Sequence, residues 1–240
     1  MALSKVHYLT AFAPDFQWQR FAQQTPGVPE DEQLIGSLWQ LARPQAVWRE
    51  GRITGRQAHQ LAIDGGEMVI DNAYVAQGLA QCEQVSVMAL TIGPAMPEMA
   101  SRLLTEGELY RGTIADLLGS YGVERLAEDF CAHLSQQALS KGKFATLRFS
   151  PGYGDWPLTG QTSLLSYLAC PQLGVHLTDN LMLEPVKSIT AIVGWASSWQ
   201  KPAYPEGNRG SGFCNGGHNC AACVTWACRK HHYPRKDDES

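Results

Sequence analysis

The feature that most constrains the fold is a long amphipathic segment in the middle of the 240-residue chain, from about residue 111 to residue 139. A spacing close to 3.6 predicts one long helix with a single buried face. The positions that follow this period are Ile114, Leu117, Leu118, Tyr121, Arg125, Leu126, Phe130 and Leu134. Gly112, Gly119 and Gly122 lie inside the segment, although each costs about 1 kcal/mol relative to Ala in a helix. Because glycine lets another part of the chain approach closely, we expect this helix to be central.

Short apolar or β-branched runs on both sides of this helix predict strands. They are residues 68–70, 85–92, 145–149, 174–178 and 188–194. Shorter helices are predicted at 34–41, at 97–104, at 159–168 and from an N-cap at Asp71 to about Leu79. Strands and helices do not alternate in a regular βαβ rhythm, so the order favours an α+β fold over a doubly wound one.

Charge and hydropathy narrow the class of protein. The net charge is −4 at pH 7, which argues against a nucleic-acid-binding domain because such domains usually carry a basic face. The longest apolar run, 85–92, is much shorter than the ~20 residues of a membrane-spanning helix. The first residues lack the apolar stretch of a signal peptide. We therefore expect a cytoplasmic protein without a membrane partner, whose thiols stay reduced.

A loop rich in proline and glycine follows the strand predicted at 145–149. Its sequence is Ser150-Pro-Gly-Tyr-Gly-Asp-Trp-Pro157, and Arg148 lies just before it at the end of the strand. Glycines in such a loop let a ligand approach the backbone, and the arginine fork suits a carboxylate. Taken alone, the same residues are also compatible with a structural turn that carries a surface arginine.

Further segments combine with this loop into a specific pattern. Gln161, Gly174-Val-His-Leu-Thr-Asp179, Met182-Leu-Glu-Pro185 and Lys187-Ser188 follow it, and Thr91-Ile-Gly-Pro94 and Glu124-Arg-Leu-Ala-Glu128 precede it. Together they cover about residues 85–194 and resemble the activation (reactivation) domain of cobalamin-dependent methionine synthase. The chain is more similar to stand-alone forms of that domain than to the large multidomain enzyme. The resemblance implies an α+β fold with a twisted, mostly antiparallel sheet and flanking helices.

The ligand that the resemblance implies is S-adenosylmethionine. Arg148 would bind its carboxylate, the backbone of Ser150 its adenine, and Glu128 its amino group, while Gly152 and Tyr153 would line the sulfonium and face the corrinoid. Contacts to the carboxylate and to the ammonium fix both ends of an amino acid. A tyrosine beside a sulfonium is a cation–π partner. The alternative for Glu128 is a solvated position on a helix surface.

The implied activity is reductive methylation of cob(II)alamin by one electron and the methyl group of S-adenosylmethionine. The protein would position the reacting groups, with Tyr153 as the catalytic residue that faces them. The implied partners are the cobalamin-binding domain or protein of a methyltransferase and a flavodoxin-like or ferredoxin-like reductant.

Four of the 7 cysteines crowd near the C-terminus, as Cys214, Cys220, Cys223 and Cys228. Two thiolates two residues apart can chelate one ion, and two more complete a tetrahedral set. The spacing predicts a metal site, with zinc or an iron–sulfur cluster as the two candidates. Histidines that could substitute as ligands are His218, His231 and His232. Free thiols or a disulfide are the alternatives.

The remaining cysteines, Cys82, Cys131 and Cys170, are expected to be buried apolar residues.

The sequence pattern divides the chain into an N-terminal helical or mixed segment (1–84) packed on the main domain, an activation-domain-like core (85–200) and a cysteine-rich metal-binding tail (201–240). Two other functions compete with the activation protein. One is a metal-binding adaptor that caps or reduces a corrinoid protein without transferring methyl groups. The other is a methyltransferase acting alone on a small molecule, which is disfavoured because no general base is evident.

Overall fold

An antiparallel sheet of seven strands forms the centre of the molecule. The computed structural model describes residues 6–9, 21 and 32–198. The strands run in the order β4-β3-β2-β5-β9-β6, and β1 pairs with β2 on the edge opposite β5. Their bounds are β1 Val6–Leu9, β2 Gln45–Gln57, β3 Gln60–Ile63, β4 Met68–Asp71, β5 Cys82–Thr91, β6 Phe144–Phe149 and β9 Ser188–Ala196. The short strands β7 (His176–Leu177) and β8 (Leu183–Glu184) form a separate two-stranded sheet.

Helices cover both faces of the large sheet. They are α1 Glu32–Trp39, α2 Ala73–Gly78, α3 Ala95–Thr105, α4 Leu109–Ser140 and α5 Gly160–Leu168. Helices α1, α3 and α4 share one apolar cluster with the sheet, and α2 and α5 share the other. The expected α+β class, with a mostly antiparallel sheet and flanking helices, is confirmed.

The central strand β5 is apolar on both sides because it contributes to both clusters. Val87 and Ala89 belong to the cluster of α2 and α5, whereas Met88 and Leu90 belong to the cluster of α4. A strand covered on both faces has a continuous apolar run in place of an alternating one. The strand predicted from the run 85–92 is therefore confirmed.

The long helix α4 makes the close approaches that its glycines predict. A Cβ atom added to Gly122 would lie 2.8 Å from Cη2 of Trp39, and one added to Gly112 would lie 2.7 Å from Cγ of Leu104. Real Cβ atoms essentially never come this close to a neighbour. Glycine at these positions lets α1 and α3 pack directly against α4, which confirms the central position of the helix.

Several local predictions need correction. Asn72, and not Asp71, is the N-cap of α2, and its side-chain oxygen accepts a hydrogen bond from the backbone N–H of Val75 at 3.0 Å. The strand expected at 174–178 is reduced to the two residues of β7. The 13-residue strand β2 was not predicted from the sequence.

The first part of the chain contributes directly to the sheet. Strand β2 pairs with β5 over eight residues, from Gln45 opposite Thr91 to Arg52 opposite Gln84. The boundary expected between residues 84 and 85 falls inside β5. Strands β2, β3 and β4, which precede that boundary, therefore share one hydrogen-bonded sheet with the expected core.

Within the described ranges, no helix combines the length and the apolar character needed to cross a bilayer.

Candidate functional site

Arg148 lies near the end of β6, an edge strand of the sheet. It pairs in register with Val193 of β9, and the register shifts between Ala145 and Arg148. At this irregularity the hydroxyl of Thr146 accepts a hydrogen bond from the backbone N–H of Gly194 at 2.9 Å. Since Val193 belongs to the α4 cluster, the pairing places Arg148 on the face of the sheet that α4 covers.

The guanidinium of Arg148 forms an ion pair with Glu124 of α4. Its Nη2 donates to the carboxylate, and the two side chains are only 19% and 17% exposed. Its Nη1 is buried, and none of the described residues accepts a hydrogen bond from it. Burial is the largest single effect and lowers the pKa of Arg148. The charge and the hydrogen bond of Glu124, with contributions from Cys131 and Tyr153, together raise this pKa by more, so the net shift is upward and the group stays charged.

Glu128 is one helical turn after Glu124 and has a different cation beside it. Its carboxylate lies 3.6 Å from Nη1 of Arg125, whose Nη2 lies 2.8 Å from Asp129. The structure thus brings Arg148 together with Glu124, which the sequence analysis did not single out as a site residue. The signal that could have found it is the four-residue spacing, which places both glutamates on one helix face. The ammonium contact assigned to Glu128 stays a prediction.

The loop after β6 is held by its own backbone hydrogen bonds. The N–H of Gly152 donates to the carbonyl of Trp156 at 2.7 Å, and the N–H of Tyr153 donates to the carbonyl of Ser150 at 3.2 Å. Gly152 and Gly154 have φ angles of 89° and 59°, in the left-handed region that favours glycine. The loop therefore has one compact conformation that depends on its glycines.

Tyr153 is displayed by this loop. Its side chain is 42% exposed. Partial burial raises the pKa of Tyr153, and the charge of Glu124 raises it further, whereas Arg148 lowers it by less. Both charged groups act on the phenol, so it lies within electrostatic range of the Arg148–Glu124 pair. The structure therefore brings Tyr153 and Arg148, two of the predicted site residues, into one neighbourhood.

The opposite side of the loop is anchored in the core. Trp156 is 4% exposed and packs in the cluster of α2 and α5. The side chain of Asn72, the N-cap of α2, donates to the carbonyl of Asp155 at 2.9 Å. These contacts fix the loop to α2 on one side and to α5 on the other.

A second loop, between β7 and β8, is tied to the start of α5. Nε2 of Gln161 donates to the carbonyl of Leu181 at 2.8 Å, although the Gln161 side chain is buried. Within the loop, the hydroxyl of Thr178 accepts from the N–H of Met182 at 3.1 Å. The side chain of Met182 is 53% exposed. Tyr153 and Met182 therefore lie exposed on the two loops that flank the start of α5.

The upstream segment that begins with Thr91 meets the segment of Lys187 and Ser188. The Ser188 hydroxyl donates to the Thr91 hydroxyl at 2.9 Å. Nζ of Lys187 lies 2.7 Å from Asp116 and donates to the hydroxyl of Ser120 at 2.8 Å, both on α4. The fold thus joins separate parts of the sequence pattern and connects them to the long helix.

The predicted metal ligands Cys214, Cys220, Cys223 and Cys228 lie outside the described residues, as do His218, His231 and His232. Within residues 6–9, 21 and 32–198, no cluster of three or more His, Cys, Asp or Glu residues could hold a metal ion. Among the other cysteines, Cys82 is buried as expected, whereas Cys131 and Cys170 are partly exposed. Burial raises the pKa of the Cys82 thiol to about 11.

The fold of the described residues belongs to the α+β class, with helices on both faces of an antiparallel sheet. The crystal structure of the MetH reactivation domain bound to AdoHcy is similar to it, with a TM-score of 0.57 and 16% sequence identity. The similarity covers 83% of this chain and 81% of that chain, and it confirms the fold expected from the motif. No protein-family model and no curated protein matches the sequence.

Proposed function

We propose that this chain is an activation protein for a cobalamin-dependent methyltransferase such as methionine synthase, and that it binds S-adenosylmethionine. The observation that carries the proposal is the buried guanidinium of Arg148, whose Nη1 has no acceptor among the described residues. It lies within electrostatic range of Tyr153, which is exposed on a loop held by backbone hydrogen bonds. The MetH reactivation domain, which was crystallised with AdoHcy, supports an adenosyl amino acid as the ligand.

Arg148 would bind the carboxylate of S-adenosylmethionine with its free nitrogen. A buried charged donor without an acceptor is costly, so a ligand carboxylate would satisfy it. Glu128 would contact the ammonium group, and backbone groups at Ser150 would contact the adenine. The close approach that Gly152 permits would bring the sulfonium next to the ring of Tyr153, which attracts cations.

The chain's part in the reaction is positioning. Reductive methylation consumes one electron and the methyl group of S-adenosylmethionine, converts the partner's cob(II)alamin to methylcobalamin and releases AdoHcy. No proton has to move, so the site needs no general acid or base. Holding both ends of the amino acid turns a bimolecular encounter into an oriented one. Tyr153 is the residue we assign to the contact with the reacting groups.

The partner is proposed to be a cobalamin-binding domain that covers the face displaying Tyr153 and Met182. Both side chains are exposed, at 42% and 53%, and apolar contacts of this kind suit a docking surface. A flavodoxin-like or ferredoxin-like protein would deliver the electron. A cytoplasmic location, where thiols stay reduced, is part of the same proposal.

The cysteine tail is proposed to bind zinc or an iron–sulfur cluster through Cys214, Cys220, Cys223 and Cys228. Metal analysis and visible absorbance of an anaerobic preparation separate the two. Stoichiometric zinc in a colourless sample identifies a structural site, and a brown sample with iron and sulfide identifies a cluster. A preparation that contains neither metal contradicts the proposal for the tail.

The test of the function uses the cobalamin-binding fragment of MetH, loaded with cob(II)alamin, as a probe. With titanium(III) citrate as the one-electron reductant and S-adenosylmethionine, addition of the chain should accelerate the formation of methylcobalamin, followed by visible absorbance. Arg148→Ala should abolish the acceleration, and the control Arg111→Ala should retain it, because Arg111 is an exposed residue paired with Glu108. If the chain binds the fragment and metal but never supports methyl transfer, the adaptor function replaces the activation function.

A further inference from the structure

The Arg148–Glu124 pair joins two different elements of the fold at the candidate site. Arg148 comes from strand β6, and Glu124 from helix α4. Both side chains are mostly buried, at 19% and 17% exposure. A charged pair in such a place has little freedom to change partners, because each group would be costly to leave alone. The pair therefore fixes the orientation of the guanidinium.

The two terminal nitrogens of Arg148 are used differently. Nη2 donates to Glu124, whereas Nη1 is buried without an acceptor among the described residues. The guanidinium is planar, so holding one nitrogen fixes the direction in which the other nitrogen presents its hydrogens. The orientation of the free edge of Arg148 is thus set by Glu124, a residue that was not predicted to be part of the site.

The neighbouring glutamate, Glu128, does not hold Arg148 in this way. Glu128 lies 3.6 Å from Arg125, which also binds Asp129 at 2.8 Å. Its nearest described cation is therefore on its own helix. Glu124, in contrast, reaches across to the strand, and its charge also raises the pKa of Tyr153. Of the two glutamates, Glu124 is the one coupled to the candidate ligand-binding groups.

We propose that Glu124 is a positioning residue, which holds the guanidinium of Arg148 so that its free Nη1 edge receives the carboxylate of the amino-acid part of the ligand. This inference rests on the proposed binding of S-adenosylmethionine and adds a residue to that site. It assigns different functions to two residues on one helix face: Glu124 orients Arg148, and the proposed contact with the ammonium group belongs to Glu128.

The test compares two ligands in calorimetric titrations of the full chain. S-Adenosylmethionine carries the carboxylate, and 5′-methylthioadenosine lacks the whole amino-acid part. Glu124→Ala should weaken binding of S-adenosylmethionine about tenfold or more, the usual effect of disturbing a charge-assisted contact. Binding of 5′-methylthioadenosine should stay unchanged. Glu124→Gln, which keeps an acceptor but loses the charge, provides a second variant if the alanine variant does not fold.

A double-mutant comparison separates positioning from a general structural effect. In the Arg148→Ala background, Glu124→Gln should cause no further loss of affinity, because the group that it orients is absent. Glu108→Gln, at an exposed ion pair before α4, is the matched control and should bind both ligands like the wild type. Equal weakening for both ligands, or unchanged or tighter binding of S-adenosylmethionine by the Glu124 variants, overturns the inference alone. Failure of the wild type to bind S-adenosylmethionine overturns the proposed function and this inference together.

Discussion

The loop that displays Tyr153 depends on a glycine at the start of α5. A Cβ atom added to Gly160 would lie 2.7 Å from Cε2 of Trp156, closer than real Cβ contacts allow. Trp156 is buried, and its carbonyl accepts the N–H of Gly152 at 2.7 Å. Gly160→Ala must therefore displace the indole and strain the backbone of the loop.

The expected size of the effect follows from these contacts. Overpacking a core costs about 1–3 kcal/mol, and a weakened hydrogen bond adds about 1 kcal/mol. The helix propensity of alanine returns at most about 1 kcal/mol. We expect a net loss of about 1–3 kcal/mol in the free energy of unfolding, which corresponds to a fall of roughly 2–10 °C in Tm for a chain of this size.

Circular dichroism during urea and thermal unfolding measures this loss, and calorimetry with S-adenosylmethionine measures the effect on the site. The matched control is Gly36→Ala in α1, where no atom lies within 4 Å of the added Cβ. That change should stabilise the chain by about 0.5–1 kcal/mol. A Gly160→Ala variant as stable as the wild type, with unaltered ligand binding, would refute the argument that the loop and α5 are locked together.

Three further predictions concern other parts of the site and the core. Burial raises the pKa of Cys82 to about 11, so its thiol should stay unmodified by iodoacetamide at about pH 8 while the chain is folded. Peptide mass mapping measures the modification. Alkylation of Cys82 as fast as that of the partly exposed Cys170 would contradict its burial. Gln161→Met should lower the free energy of unfolding in urea by about 1–2 kcal/mol, because the carbonyl of Leu181 loses its 2.8 Å donor. The same change should speed hydrogen exchange in the loop between β7 and β8. No change in either measurement would contradict the role of Gln161 in holding this loop. The pKa of Tyr153 is raised, chiefly by burial, so the folded chain keeps the phenol proton at a pH where the unfolded chain loses it, and the free energy of unfolding falls as the pH rises above about 10. Between about pH 9 and 11, the free energy of unfolding should fall less in Tyr153→Phe than in the wild type. Identical pH profiles of the two proteins would argue against the shift.

Patterns within one segment allowed most of the secondary structure to be predicted. The period of α4 and the apolar run of β5 each carry their own signal, since both depend on burial that repeats along the chain. The glycines of α4 also predicted close packing, and Trp39 and Leu104 lie against Gly122 and Gly112. The order of these elements was enough for the fold class.

Strand β2 was missed because its burial depends on distant residues. Arg49 lies in the middle of the strand and is 6% exposed. Its guanidinium is held by both oxygens of Glu67, at 2.5 and 2.7 Å, and lies 4.1 Å from the centre of the Tyr167 ring. A charged residue is expected to be exposed until such partners are known. The charged residues Arg49, Glu50, Arg52 and Arg56 therefore concealed the fact that this segment is a core strand.

The same limit applies to the candidate site. Arg148 and Tyr153 could be named because they belong to one contiguous motif. The partner of Arg148 is a helix residue that lies 24 positions earlier in the sequence. From the sequence alone, Glu124 and Glu128 are equally good candidates for that partner. Only the packing of β6 against α4 distinguishes them, because the pairing depends on which helical turn faces the strand end.

The most direct test of the proposed ligand is a calorimetric titration of the full chain with S-adenosylmethionine. The wild type should show a single binding site, whose affinity is strongly weakened in Arg148→Ala and retained in Arg111→Ala, with circular dichroism showing that both variants are folded. No binding by the wild type at millimolar ligand, or equal binding by the Arg148→Ala variant, would contradict the central claim that Arg148 receives the carboxylate of this ligand.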